Sequence, residues 1–220
     1  MPDNSSRDLA ELEQRLRPGL LALGLSGRPE LVPSLLRYLR LLDKWNQAFN
    51  LTAVRDPLEM VTLHLLDSLS VRPWLQGGRV LDAGTGAGLP GIPLALAEPG
   101  RHFVLLDSSA KKTRFVRHAL GELALDNAEV VQARVEAWQP DAPFGTVISR
   151  AFTALPQFVA RCAHLAAPGG RLLAMKGRSP DTELSVLPAG WRASEVTALS
   201  VPGLDASRHI VVLERTAAGD

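Results

Sequence analysis

The chain has 220 residues, 46% of them apolar, with a single cysteine and 24 Lys and Arg against 23 Asp and Glu. That suffices for one well-packed domain with an accessory element; Cys162 alone excludes an internal disulfide framework and reads as a small buried hydrophobe. The net charge of +1 announces no polyanionic partner in bulk, so nucleic-acid contact must come from local patches. The opening MPDNSSRDLAELE lacks the basic and apolar regions of a secretory signal. The longest uncharged run, Ala83 to Ala97, is too short and too rich in Gly and Pro to cross a bilayer. A cytoplasmic protein with no membrane partner is expected.

From Leu9 to Phe49 apolar residues recur at helical spacing. Leu31, Leu35, Leu39, Leu42 and Phe49 share one face, and Gly24 and Gly27 separate two helices. A third helix follows in RDPLEMVTLHLLDSL, where Asp56, Pro57 and Glu59 stand as N-cap, first-turn proline and capping-box acid. After residue 77 the pattern turns to short apolar strands alternating with helices, the strands being Arg79–Leu81, His102–Leu106, Glu129–Gln132, Thr146–Ser149 and Arg171–Met175. Crossover units of this kind build a parallel sheet. Two last apolar runs, Ser194–Ser200 and His209–Leu213, joined by VPGLDASR, suit a hairpin closing one sheet edge. The expected architecture is α/β, with a Rossmann-type, mostly parallel sheet over 78–220. Helices cover both of its faces, a C-terminal antiparallel hairpin ends it, and an N-terminal helical element over 1–77 packs on it.

The stretch RVLDAGTGAGLPGIP carries the chemistry. Gly86, Gly88 and Gly91 match G-x-G-x-x-G, the dinucleotide fingerprint, but a lone match is weak. Its context argues against a dinucleotide. Asp82 ends the strand before the glycines begin, and a carboxylate a few ångströms from a pyrophosphate costs about 1–4 kcal/mol. The same carboxylate favours a cation. S-adenosylmethionine shares the nucleoside but carries an α-ammonium and a sulfonium, which Asp82 would orient directly or through a water. Gly84, Gly86 and Gly88 would let the backbone approach that ligand closely. Asp107, ending the second strand in FVLLDSS, stands at the interval where an acid meets ribose hydroxyls; an Asp there is also a common helix cap. Other chemistries find little support: the five histidines lack ligand spacing, one cysteine makes no thiolate cluster, and no metal site is expected. Neither G-x-S-x-G nor the Walker A pattern occurs.

The segments WNQAFNLTAVRDP, HLLDSL, VLDAGTGAGLPGIPLA, LLDSSAKKTRF, ARVE, VISRAF and AMKGR, in this order, resemble the RsmG family of bacterial 16S ribosomal RNA guanine-N(7) methyltransferases, from about Leu35 to about Leu213. The resemblance implies S-adenosyl-L-methionine as cofactor and 16S ribosomal RNA, or a small-subunit particle, as partner, with guanine 527 as the acceptor. It implies that Gly84 and Leu89 contact the methionine part of the cofactor and that Asp107 holds the ribose. Val135 and Glu136 would then lie along the adenine, with Arg150 among the cofactor contacts. An arginine at the carboxyl end of the fourth strand also faces the crevice where open parallel sheets bind ligands. Arg150 and Lys176 are expected to position cofactor and RNA, with no general base. A monomer is the default.

The RNA side rests on charge clusters. Lys111, Lys112, Arg114 and Arg117 crowd the helix after Asp107, and Arg171, Lys176 and Arg178 gather about the fifth strand. Such clusters are commonly solvated faces. Residues 1–77 carry nine basic and nine acidic side chains, so they form no basic arm. Three alternatives remain open at this point: the same fold acting on another RNA base or a protein side chain, a noncatalytic ribosome-assembly factor, and an NAD-dependent oxidoreductase.

Overall fold

A computed structural model describes residues 4–150 and 154–216. Two long helices come first, α1 (Asn4–Ala22) and α2 (Leu31–Phe49). On α2 the apolar repeat buries Leu31, Leu35, Leu39 and Leu42 at 1% exposure or less, whereas Phe49 is 38% exposed. Phe49 falls outside that face because the helix stops there: Asn50 takes the left-handed conformation, φ 49°, leaving the Phe49 ring against Trp45 at 5.1 Å. Asn46, buried beneath the turn, receives the Thr52 amide on Oδ1 and donates Nδ2 to the Val54 carbonyl. Those bonds fold the connection back over the helix end.

The third helical run starts as the sequence predicts, Asp56 capping the Leu58 amide at 2.9 Å with Pro57 in the first turn. Among the described residues no side-chain bond from Glu59 completes a capping box. The run is not uniform. Helix α3 (Pro57–Met60) widens into a π-helical segment, Val61–Leu66, and returns to α geometry in α4 (Asp67–Ser70). Such wide turns recur at functional sites.

Then the sheet begins: β1 (Arg79–Ala83), α5 (Gly91–Ala97), β2 (His102–Asp107), α6 (Ala110–Leu123), β3 (Ala128–Gln132), β4 (Phe144–Ser149), α7 (Leu155–Cys162), β5 (Ala166–Lys176), α8 (Asp181–Leu184), β6 (Trp191–Ala198) and β7 (His209–Arg215). The seven strands lie in the order β3-β2-β1-β4-β5-β7-β6. β1 to β5 are parallel, and the final pair forms an antiparallel hairpin, β7 lying antiparallel to both β5 and β6.

Period-two alternation sorts the strand side chains into two cores. Val80, Phe103, Leu105, Ile148 and Leu173 join α1, α2, α5 and α6 on one face. Leu81, Val104, Leu106, Val147 and Leu172 join α7 on the other, where Cys162 is fully buried and burial pushes its thiol up to about 12. The segments before and after residue 77 therefore share one apolar cluster. Tyr38 and Trp45 of α2 reach Phe115 of α6, at ring separations of 6.4 and 5.5 Å. No described helix is long and apolar enough to cross a membrane.

Candidate active site

Parallel strands bring their carboxyl ends to one edge, which is where open α/β sheets bind ligands. Register places Asp82 of β1 beside Leu105 of β2 and Ile148 of β4, so Asp82, Asp107, Arg150 and Lys176 all gather at that edge. Of the VISRAF stretch, Ala151 and Phe152 lie outside the described residues.

The glycine loop is held from within. Asp82 is fully buried, and its Oδ2 accepts the Thr85 hydroxyl at 2.6 Å and the Gly91 amide at 2.8 Å. Its Oδ1, also buried, meets no hydrogen-bond donor among the described residues. Burial pushes this carboxyl up to about 6, against the opposing pull of those two bonds and of Arg150. A Cβ on Gly91 would stand 2.1 Å from Leu105 Cδ2, so only glycine lets α5 start this close to the sheet. Asp82 thus pins the loop through one oxygen, while the other has no partner among the described residues.

The amides of Gly84 and Thr85 both donate to the Leu106 carbonyl, at 2.8 and 2.9 Å. Gly86, at φ 60°, turns its amide to Asp107 Oδ2 at 3.0 Å. A Cβ there would meet only the Gly84 carbonyl oxygen, at 3.9 Å; the backbone is open on that side. Asp107 also caps the Ser109 amide at 2.9 Å and faces Lys112 Nζ at 3.6 Å. The geometry bears out the capping reading of Asp107 and adds a second role, bracing the loop through the Gly86 amide. Leu89 is buried in the first core, and Val135 in the second, while Glu136 stands exposed near Arg134 at 3.9 Å.

Beside the loop lies a cleft of about 360 Å³ between the π-helical turn and the end of β5, lined by Leu63, His64, Asp67, Arg150, Lys176 and Arg208 among others. Arg150 donates to the Leu63 carbonyl at 3.1 Å and meets Asp67 Oδ2 at 3.6 Å. Arg208 donates Nε to the other oxygen, Oδ1, at 3.1 Å. One buried carboxylate therefore holds two guanidinium groups. Burial raises the Asp67 pKa, and the two arginines oppose that rise.

His64 Nε2 lies 2.9 Å from the Thr52 hydroxyl. Burial, aided by the Arg150 charge, lowers its pKa to about 4, so the imidazole is neutral at physiological pH. Lys176 is not open to solvent as the sequence suggests: it meets both oxygens of Glu183, at 3.1 and 2.9 Å, and Glu183 in turn receives the Leu155 amide at 2.6 Å. The structure thus joins Arg150 and Lys176 in one cleft and sets Asp82 and Asp107 around the adjoining loop. Sequence reasoning missed Asp67, His64, Arg208 and Glu183. The first two sit in HLLDSL, which stood out only as a family motif.

A fold with this strand order and reversed final strand, a glycine loop after β1 and an acid ending β2 defines the class I methyltransferases. Solved structures agree at the level of fold: the O-methyltransferase TomG of Streptomyces achromogenes, in complex with S-adenosylmethionine, superimposes with a TM-score of 0.56 at 16% identity over 82% of this chain and 90% of that one. The glycopeptide N-methyltransferase MtfA, complexed with S-adenosyl-L-homocysteine, gives 0.56 at 16% over 70% and 87%. The family model described as rRNA small subunit methyltransferase G (GidB) matches residues 32–211, and the chain belongs to that family. It is 54% identical over 208 residues to the ribosomal RNA small subunit methyltransferase G of Nitrosococcus oceani, covering 94% of this chain and 97% of that protein. The Pseudomonas syringae protein of the same name is 50% identical over 204 residues, covering 93% and 95%.

Proposed function

We propose that the protein transfers a methyl group from S-adenosyl-L-methionine to ring nitrogen 7 of a guanine in 16S ribosomal RNA, guanine 527 by family resemblance, acting as a cytoplasmic monomer. The observation that carries this reading is a loop cradle and an arginine-walled cleft side by side at one sheet edge, with the titratable groups of the cleft already engaged.

The residues fit the cofactor. Gly86 leaves its backbone open, and the unpaired, buried Asp82 Oδ1 is an acceptor waiting for a donor; an α-ammonium supplies one, directly or through a water. Asp107 has spent its oxygens on two amides and a lysine, and a carboxylate has about four acceptor sites, which leaves room for a ribose hydroxyl. Gly84, Gly88 and Leu89 form the rest of the cradle, Val135 and Glu136 the adenine side. The cofactor supplies an electrophilic methyl group on a sulfonium.

Guanine N7 presents an in-plane lone pair and carries no proton, so its methylation needs alignment and exclusion of water rather than a base. The cleft matches that demand. His64 is neutral and bonded to Thr52, while Asp67 is shared between two arginines. The methylated base becomes cationic, and a bare guanidinium beside it would oppose the transition state. Asp67 offsets the Arg150 and Arg208 charges at the place where that cation forms.

Tritiated methyl transfer to fractionated ribosomal particles, followed by nucleoside analysis, tests the reading. Label in 7-methylguanosine of 16S RNA is expected. Tight RNA binding without transfer to any ribosomal RNA would instead favour a noncatalytic assembly factor.

A further inference from the structure

The charge of this protein is unevenly placed. Helices α2 and α6 together carry seven Lys and Arg against two acids, Asp43 and Glu122, a net +5 on a chain whose total is +1. The rest of the molecule is therefore net −4. The two helices pack side by side in antiparallel fashion. Arg37 near the start of α2 pairs with Glu122 near the end of α6 at 2.9 Å, Trp45 lies against His118 at 5.2 Å, and Lys111 donates to the Phe49 carbonyl at 2.8 Å. Their outer faces form one continuous ridge.

Four cations of that ridge are exposed and make no hydrogen bond or ion pair among the described residues: Arg40, Lys44, Arg114 and Arg117. Arg40 and Lys44 also border a groove of about 930 Å³, which runs between α1 and α2 over an apolar floor that includes Leu36 and Leu41. Unpaired surface cations concentrated against an otherwise acidic molecule create a local positive field that survives within a Debye length, about 8–10 Å.

The ridge is continuous with the site. Lys112, on the same helix, faces the Asp107 carboxylate. At the other helix end, the connection after Phe49 carries Arg55, exposed and bonded to the Asn46 carbonyl and the Asn50 side chain. Its neighbour Val54 already lines the cleft that holds Arg150. A polyanion lying along α2 and α6 would thus reach the cleft without leaving positive ground.

We propose that the exposed faces of α2 and α6 are the docking ridge for the phosphate backbone of folded 16S RNA flanking the acceptor guanosine. The ridge binds sequence-independently, as phosphate contacts do, and sets the register that delivers one base to the cleft. This rests on the methyltransferase reading above.

The test uses the full chain with Arg40, Lys44, Arg114 and Arg117 all replaced by alanine, and a charge-keeping control with Arg40→Lys, Arg114→Lys and Arg117→Lys. Binding to protein-free 16S RNA and to small-subunit particles is followed over a salt series, with cofactor titrated calorimetrically and methyl transfer measured at saturating RNA. Each duplex phosphate contact contributes about 0.9 to the slope of log affinity against log salt. The alanine variant removes up to four such contacts and is expected to lose about two to three and a half units of slope and to bind at least roughly tenfold more weakly near physiological salt. Cofactor affinity and saturated rate should hold, and the charge-keeping control should behave as wild type. Unchanged affinity and slope would overturn the ridge. Weaker binding at an unaltered slope, the mark of a ribosomal-protein contact, would overturn it too. Wild-type protein that neither binds nor methylates either substrate would defeat the methyltransferase reading itself, before any variant is compared.

Discussion

Tyr38 of α2 donates its phenol hydroxyl to the carbonyl of Ala87, in the glycine loop, at 2.8 Å, with the tyrosine fully buried. A residue of the N-terminal helices thereby fixes the backbone of the glycine loop, the centre of the proposed cofactor cradle. Burial keeps that hydroxyl protonated by driving its pKa upward, so the bond persists at any working pH.

Tyr38→Phe removes only the donor and leaves the Ala87 carbonyl buried without a partner. A buried acceptor stripped of its partner costs about 1–3 kcal/mol. Lower thermal stability is expected, together with cofactor binding several-fold weaker, since Phe keeps the ring against Phe115 but not the loop. Calorimetric titration checks this; unchanged cofactor affinity would show that the loop holds itself.

The proposed role of Asp82 beside the cofactor's cation predicts a pH dependence of cofactor binding. Its folded-state carboxyl is raised to about 6 by burial, so ligand-free protein holds the proton more tightly than the unfolded chain does. That contribution to stability is fully present below the ordinary carboxylate range and is lost as pH rises through about 6. A cationic ligand prefers the ionised form. The rise in unfolding temperature on adding S-adenosylmethionine should therefore be larger at about pH 7.5 than at about pH 5. Asp82→Asn should abolish the difference and weaken binding, and an undiminished pH effect in that variant would assign it to another group.

Much of this fold is legible in the sequence because its signals are local. Strand alternation between Val80 and Leu81, an acid closing β2 and glycines after β1 are readable within a few residues. The cleft is not. Arg208 meets Asp67 across 141 residues of sequence, and no periodicity encodes that meeting. The π-helical turn leaves the apolar spacing of VTLHLL looking like any helix. Tyr38 occupies a core-facing position, so its ring is foreseeable but its bond to a distant carbonyl is not. Lys176 reads as an exposed cation because Glu183, its partner, sits on a helix of four residues with no sequence signature.

Asp67→Ala tests whether the two arginines need their shared carboxylate. Arg150 and Arg208 keep 28% and 23% of their side chains exposed, so both can turn to water, and the fold should lose only about 1–2 kcal/mol, less than for a fully buried pair. Catalysis should suffer more. Two unrestrained guanidinium groups beside the acceptor are expected to lower the saturated rate by about tenfold to a hundredfold, the worth of about 1.4–2.8 kcal/mol in the transition state. RNA affinity should not fall. A rate equal to wild type would remove Asp67 from the mechanism.

The last prediction concerns protons. Transfer to an exocyclic amine, or to a ring nitrogen bearing hydrogen, requires a base that titrates with the rate. In this cleft the imidazole of His64 has its pKa lowered to about 4, well below the working range. Burial raises the Asp82 carboxyl to about 6 in the ligand-free protein, and a cationic cofactor bound beside it, as proposed, would hold it ionised. With cofactor and RNA saturating, single-turnover methyl transfer should therefore be flat from about pH 6 to 9. With subsaturating cofactor it should fall below about pH 6 as Asp82 takes up its proton. His64→Phe provides the contrast: it abolishes the Thr52 contact and should reduce stability, yet leave the flat profile flat. A steep loss of saturated rate below about pH 7 would reveal a general base and argue against N7, and label recovered on N1 or on an exocyclic amine would identify the atom methylated instead.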